Sequence, residues 1–176
     1  RRFDRRGNHK IHMQTLCAIA HADYKRPGQF SYEELFQVAR RLRLSRIDAL
    51  EIYRRMVFNV VARNQDDHTK NFSFLMDKDG KWCLSPAYDV AYSYKPGSHW
   101  VEQHNISLNG KRSGFTRDDL LAVASQIGNF RERDANDIIE QCTEVVSRWR
   151  TMATENEVPA SLVDEIEANL RLDLTG

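Results

Sequence analysis

The stretch NQDDHTKNFSFL, Asn64 to Leu75, sets two carboxylates, an imidazole, an ammonium and three amides within eight residues and then turns abruptly apolar. Upstream of it, SRIDALEIYRRMVFNVVARN places Ile47, Leu50, Tyr53, Val57, Val60 and Val61 at helical spacing. Downstream the period changes to two. Phe72, Phe74 and Met76 alternate, DKDG supplies a turn, and Trp82 and Leu84 alternate again, which predicts a β-hairpin. Pro86 ends it, because proline cannot extend a central strand. The polar cluster therefore sits on a loop between a long helix and a hairpin.

Most of the remaining chain reads as helix. Residues 11–22 form an apolar-rich candidate helix. FSYEELFQVARRL begins with Ser31 as N-cap and Glu34 three residues on, a capping box, with Phe30 and Leu35 as its hydrophobic staple. Residues 92–114 read as loop, with one short strand near HNISL and a turn at NGK. Thr116 caps the next helix, which runs to Gly128 as C-cap. A further helix carries Ile138, Cys142, Val145, Val146, Trp149 and Met152 on one stripe, and Pro159 and Ser161 open the last. The expected fold class is mainly α with a small β-hairpin between two helical halves.

Composition bounds the function. The chain has 176 residues, 41% hydrophobic and 29% charged, which suits one domain with a real core. No apolar run approaches a membrane span, and no signal peptide or lipidation motif is visible. A net charge of +1 makes no global demand for nucleic acid. Arg40, Arg41, Arg43 and Arg46 cluster without an acid among them, which reads first as a solvated helix end and second as a patch for DNA or a partner protein. Cys17, Cys83 and Cys142 form no CxxC pair and no zinc spacing, so buried thiols in a reducing cytoplasm are expected.

The chemistry rests on three residues. Asp66 and Asn71 are five apart on the loop, and Asp89 follows the hairpin eighteen residues after Asn71. A hairpin brings its ends together, so Asp89 is expected beside Asn71. Two hard oxygen ligands with a second acid nearby suit Mg2+, which takes few protein oxygens and completes its octahedron with phosphates and water. The same set serves phosphoryl transfer: one Asp accepts the proton of the attacking hydroxyl, while an Asn and a second Asp hold the metal. Lys70 and His68 would add positive or hydrogen-bonding character beside the phosphate. His68 has a plainer reading, as a tie from the loop to a neighbouring carbonyl. Tyr88 reads as a packing residue that orients Asp89, and Trp82, Trp100 and Trp149 as core or rim aromatics. His9 and His12 have no further ligands in register, and His99 and His104 receive no role.

DDHTKNFSFL followed by WCLSPAYDV resembles the HipA family of serine/threonine protein kinases, the toxins of bacterial toxin–antitoxin modules. The family pattern Asp-x-His-x-Lys-Asn, then Leu-x-Pro-Ala-Tyr-Asp, is met at Asp66, His68, Lys70, Asn71, Leu84, Pro86, Ala87, Tyr88 and Asp89. RRFDRR resembles the family's hinge, with Arg1 where an acidic residue is usual, and LNGKRSGFTRDDL in the helical tail is also similar. The resemblance implies the C-terminal helical lobe of a kinase-like fold over residues 1–176. It implies Asp66 as catalytic base, with His68 and Lys70 at its side, and Asn71 and Asp89 on Mg2+. The backbone around Arg2 and Phe3 would meet the adenine of ATP, Asp4 the ribose, and His12 would lie near the nucleotide. It further implies a helix-turn-helix antitoxin of the HipB type, DNA contact only through that antitoxin, and a protein substrate such as an aminoacyl-tRNA synthetase. The family's N-terminal lobe, with its phosphate loop and lysine, does not precede the hinge in this chain. Weak nucleotide binding and no turnover are therefore expected of these 176 residues alone, and micromolar affinity in a calorimetric Mg-ATP titration would contradict that. An aminoglycoside-type small-molecule phosphotransferase would use the same three residues, but the acids after residue 131 are interspersed with bases and form no antibiotic-binding patch. A non-catalytic helical partner-binding module remains the third reading.

Overall fold

Ser31, Ser45 and Thr116 each start a helix by the same device. Each side-chain oxygen accepts from the backbone N–H three residues on, and the acid there (Glu34, Asp48, Asp119) reaches back to the cap's own N–H. The computed structural model describes residues 2–175. A two-residue hairpin, β1 (Arg5–Arg6) and β2 (His9–Lys10), leads into β3 (His12–Thr15) and a single helical turn, α1 (Leu16–Ile19). Helices α2 (Tyr32–Arg41) and α3 (Arg46–Val61) precede the hairpin β4 (Ser73–Met76) and β5 (Trp82–Leu84). Four helices follow the long loop: α4 (Arg117–Ser125), α5 (Glu132–Ser147), α6 (Trp149–Glu155) and α7 (Ala160–Asn169). The fold is mostly helical with a small antiparallel sheet, as expected.

Helix α3 is the axis of the core. Ile52, Tyr53, Met56, Val57, Val60 and Val61 are buried, and α3 packs on α5 through Ile138, Ile139 and Cys142. Each such side chain removed from water contributes roughly 1.5–3 kcal/mol. Ile47, placed on the same stripe by spacing, is instead 78% exposed. It lies in the first turn, before the helix meets its neighbours.

Three expectations are corrected. Residues 11–22 are not one helix. Residues His12–Thr15 pair antiparallel with Met76–Ser73 as the third strand of the sheet, and only Leu16–Ile19 is helical, capped by Thr15. The edge of β4 supplies backbone partners that a local helix would forgo. The stripe from Ile138 to Met152 is broken at Arg148 into α5 and α6, which leaves Val145 and Met152 partly exposed. Near HNISL no strand forms: Ser107 makes an isolated bridge to Ser31, and Leu108 and Lys111 exchange two N–H···O bonds around the Asn109–Gly110 turn. In the arginine cluster, Arg40 donates to the Gln126 carbonyl and Arg46 pairs with Asp134, while Arg41 and Arg43 face solvent.

Asp119 is buried, and it stitches that turn to α4. Burial alone would push its carboxyl up. Hydrogen bonds from Lys111, the Thr116 backbone, Asn109 and the Thr116 hydroxyl outweigh this and hold it at about 2, against an ordinary 3.8. A lowered folded pKa stabilises above the unfolded value and is lost as pH falls through the folded one. Asp119→Asn should therefore cost about 2 kcal/mol at neutral pH. The gap between the variant and the parent in urea unfolding should close between pH 4 and pH 2. A gap that does not change with pH would contradict this assignment.

Candidate active site

Helix α3 ends at Val61, and Arg63 turns the chain out of it with φ +56°. The following loop is built around Asp67, which is fully buried. Its Oδ2 accepts from the Tyr32 hydroxyl at 2.7 Å and from His104 Nδ1 at 2.9 Å; its Oδ1 accepts from the N–H groups of Asn105 at 2.8 Å and Ile106 at 3.4 Å. An acceptor-only carboxylate requires His104 to carry its proton on Nδ1. The network runs on through Asn59, which donates to Tyr32, and Asn64, which donates to Asn59. Burial, and then the Asp67 charge, push the Tyr32 phenol well above its ordinary value. Neither Asp67 nor His104 was singled out from sequence. One signal was present: two adjacent acids in an extended loop must face opposite ways, so one of them faces the core.

With Asp67 turned in, Asp66 is turned out, and its side chain is 45% exposed. Partial burial raises its carboxyl above the usual range. His68 opposes that shift, while the charges of Asp89 and Asp67 add to it. His68 Nε2 lies 3.8 Å from Asp66 Oδ1, and its buried Nδ1 has no partner among the described residues. The His68 ring meets Tyr24 edge-on at 5.8 Å, and Lys70 Nζ lies 4.3 Å over the face of the same Tyr24. Lys70 is thus held beside the loop by a cation–π contact.

Asn71 closes the loop. Its N–H donates to the His68 carbonyl and its Nδ2 to the Asp66 carbonyl, both at 2.9 Å. The amide's donor end is used by the protein, which leaves Oδ1 as the end suited to a cation. Tyr88 then ties the two strand ends together. Its hydroxyl donates to the Lys70 carbonyl at 2.6 Å and shares a hydrogen bond with Ser73 Oγ. The residue before Asp89 is thereby fastened to the residue before Asn71. Asp89 itself is exposed, with φ +54°, a left-handed conformation that Asp tolerates better than most residues. The set consists of oxygen donors, an amide and a carboxylate with a second carboxylate in electrostatic reach, which suits Mg2+. Among the described residues no three His, Cys, Asp or Glu gather as a fuller metal cage.

The nucleotide residues expected from the resemblance fall into two places, a cleft and the Tyr88 corner. Arg2, Asp4 and His12 line a cleft of about 530 Å3 with Lys10, Met13 and Thr15. Within it the Asp4 carboxylate is occupied by Arg2 at 2.8 and 2.7 Å, with Arg5 at 3.5 Å. Phe3 packs on Tyr88, ring centroids 5.7 Å apart, which joins the N-terminal segment to the Asp89 corner. His12 lies against Trp82 at 5.6 Å and pairs with Met76. Five residues of extended chain separate that position from Asn71, roughly 16 Å. Asp66, His68, Lys70, Asn71 and Asp89 thus share one corner, with Phe3 at its edge, and His12 lies at the far end of the sheet. Arg1 lies outside the described residues.

Residues 1–149 match the profile of the family described as HipA-like C-terminal domain. Two curated proteins of Sinorhizobium fredii are similar. One, named "Putative kinase Y4dM", is 27% identical over 177 residues, covering 96% of this chain and 42% of its own length. The other, named "Putative kinase Y4mE", is 31% identical over 87 residues, covering 47% of this chain and 20% of its own length. Among solved structures, a chain of the HipA, HipB and operator DNA complex from the Shewanella oneidensis toxin–antitoxin system superimposes with a TM-score of 0.74. That match covers 95% of this chain and 45% of the other at 21% identity, a likeness of fold. The chain spans less than half the length of each of these relatives. No described helix is long and apolar enough to cross a membrane.

Proposed function

The chain belongs to the family of HipA-like C-terminal domains, and from that premise we propose that it is the catalytic lobe of an ATP- and Mg2+-dependent protein kinase that phosphorylates serine or threonine hydroxyls. The observation that carries this reading is the convergence of Asp66, Asn71 and Asp89 at the open end of the β4–β5 hairpin, fastened by Asn71 to the Asp66 carbonyl and by Tyr88 to the Lys70 carbonyl. The names of the two Sinorhizobium relatives support it.

Asp66 accepts the proton of the attacking hydroxyl as its oxygen bonds to the γ-phosphorus and the bond to ADP breaks. A carboxyl raised above the ordinary range is a stronger acceptor when ionised. Asn71 Oδ1 and the Asp89 carboxylate would hold Mg2+, which supplies charge neutralisation to the β- and γ-phosphates. Lys70, over the Tyr24 face in the same corner, would supply positive charge to phosphate oxygen. In the larger protein we propose growth-arresting toxicity, a HipB-type helix-turn-helix antitoxin as partner, DNA contact through that antitoxin, and a protein substrate such as an aminoacyl-tRNA synthetase. The presence of HipB and operator DNA with the Shewanella relative supports the partner.

The test is the complete gene product incubated with γ-labelled ATP and Mg2+ and scored for labelled phosphoserine and phosphothreonine. Labelling that Asp66→Asn leaves intact would overturn the reading. The pH profile distinguishes the two roles weighed for His68. His68 acts to lower the Asp66 pKa, so its removal leaves that pKa still higher. His68→Gln should shift the acid limb of kcat/KM to higher pH. A loop tie alone would lower the rate and leave the limb in place.

A further inference from the structure

Asp66, His68 and Lys70 alternate with the buried Asp67 and Thr69, so the three side chains share the side of the loop away from the core. A ring from another part of the chain lies across that side. Tyr24 belongs to the connection 20–31 between α1 and α2 and is partly buried. Lys70 Nζ sits 4.3 Å from its ring centroid, over the face, and the His68 ring meets it at 5.8 Å and 70°. One ring thus touches two of the three side chains.

The connection is tied to this loop and its partners on both sides of Tyr24. Before it, the Cys17 N–H donates to the Thr69 carbonyl at 3.0 Å, and the Ala22 N–H donates to the Cys17 carbonyl at 3.0 Å. After it, the Gly28 N–H donates to the Asn105 carbonyl at 2.7 Å, and the Asn105 N–H in turn donates to Asp67. Gly28, at φ +81°, comes so close to the 104–112 segment that a Cβ there would stand 2.7 Å from Arg112 Cδ. Backbone bonds therefore set the ring against residues 66–70. The Tyr24 hydroxyl takes no part, since it makes no hydrogen bond among the described residues.

A lysine at this place has two carboxylates to choose from. Asp66 lies four residues before it, and the residue before Asp89 donates to the Lys70 carbonyl. Lys70 nevertheless makes no ion pair among the described residues and lies over Tyr24 instead. Pairing with either acid would spend an ammonium donor and occupy an oxygen that the proton or the ion needs. A ring face attracts the same cation without an acceptor oxygen, so the donors remain for another partner.

We infer that Tyr24 is a positioning residue: its ring holds the Lys70 ammonium off the Asp66 and Asp89 carboxylates, which keeps the cation for an oxyanion in this corner and Asp66 for a proton. The role rests on the kinase reading above, in which the oxyanion is a phosphate of ATP.

The placement is read without nucleotide. In the complete gene product labelled with 13C-lysine, the ε-methylene signal of Lys70 is assigned by its loss in Lys70→Arg. It should lie upfield of its position in Tyr24→Leu protein, because it stands over an aromatic face, and Tyr24→Phe should keep the upfield position. The same signal in all three proteins refutes the placement, whatever becomes of the kinase reading. Transfer tests the consequence. With Mg-ATP and a degenerate peptide mixture centred on serine, Tyr24→Leu should lower kcat about tenfold or more and leave the KM for Mg-ATP within about threefold. Tyr24→Phe, which keeps the ring face, should hold kcat within about twofold of the parent. In a Lys70→Met background, Tyr24→Leu should add less than about twofold, because the ring acts through the lysine. Losses that multiply, or a Phe variant as slow as the Leu variant, would overturn the inference and leave the kinase reading standing. Absence of transfer in the parent would remove the kinase reading, and the placement of Lys70 would then stand or fall on the spectrum.

Discussion

Asp89→Asn and Asp66→Asn are expected to abolish phosphoryl transfer by different routes, and titration with Mg-ATP should tell them apart. Asn suits both positions. At Asp89 the backbone sits at φ +54°, which Asn tolerates as well as Asp, whereas alanine would add strain and confuse the reading. At Asp66 the backbone carbonyl that receives Asn71 Nδ2 is untouched by the change. Loss of the base should lower kcat by about 10^2–10^4. It should leave Mg-ATP affinity within about threefold, because the proposed site gives Asp66 no part in holding the metal. Removing the carboxylate of Asp89 instead takes away one of the two protein oxygens proposed for the ion, and one of the charges that raise Asp66. Mg2+-dependent nucleotide binding should weaken about tenfold or more, and transfer should fall by at least about 10^3, as for loss of a group that holds the transferring phosphate's metal. Equal Mg-ATP affinity in the two variants would place the ion elsewhere and remove Asp89 from the site.

Which parts of this site were legible in sequence follows from how local the causes are. Asp66, Asn71 and Asp89 could be grouped because a two-period pattern and a DKDG turn force a hairpin, and a hairpin fixes which ends meet. The capping box at Ser31 and the cap at Thr116 were visible because the residues that make them lie within four positions of each other. Strand β3 was not visible. Its partner is sixty residues away, and HMQT has no strand propensity strong enough to announce it. The break at Arg148 and the exposure of Ile47 have the same origin. A helical stripe records which residues are apolar, and neighbouring elements decide where burial begins and ends. The roles of Asp67, Tyr32 and His104 depend on contacts spanning 35 and 37 residues, which periodicity does not carry.

That buried carboxylate carries the second large effect. Asp67→Ala leaves the Tyr32 hydroxyl, His104 Nδ1–H and the Asn105 and Ile106 amides without their acceptor in a site closed to water. Each orphaned buried donor costs about 1–3 kcal/mol, reduced where the loop relaxes to admit water. The sum for the network should come to about 3–5 kcal/mol, a large fraction of a domain's stability. Asp67→Asn keeps the volume and one acceptor oxygen but turns an NH2 toward Tyr32 and His104, so it should cost nearly as much. Urea unfolding of the chain reads the loss as a lower midpoint. Hydrogen exchange reads its location: the amides of residues 64–72 and 104–106 should lose protection before those of α3 and α5. Because Asn71 hangs from the Asp66 carbonyl, the same opening moves Asn71 away from Asp89. Nucleotide binding should then fall at temperatures where the helices are still folded. A loss below 1 kcal/mol, or exchange that rises evenly over the whole molecule, would mean that the loop is held by something other than this acid.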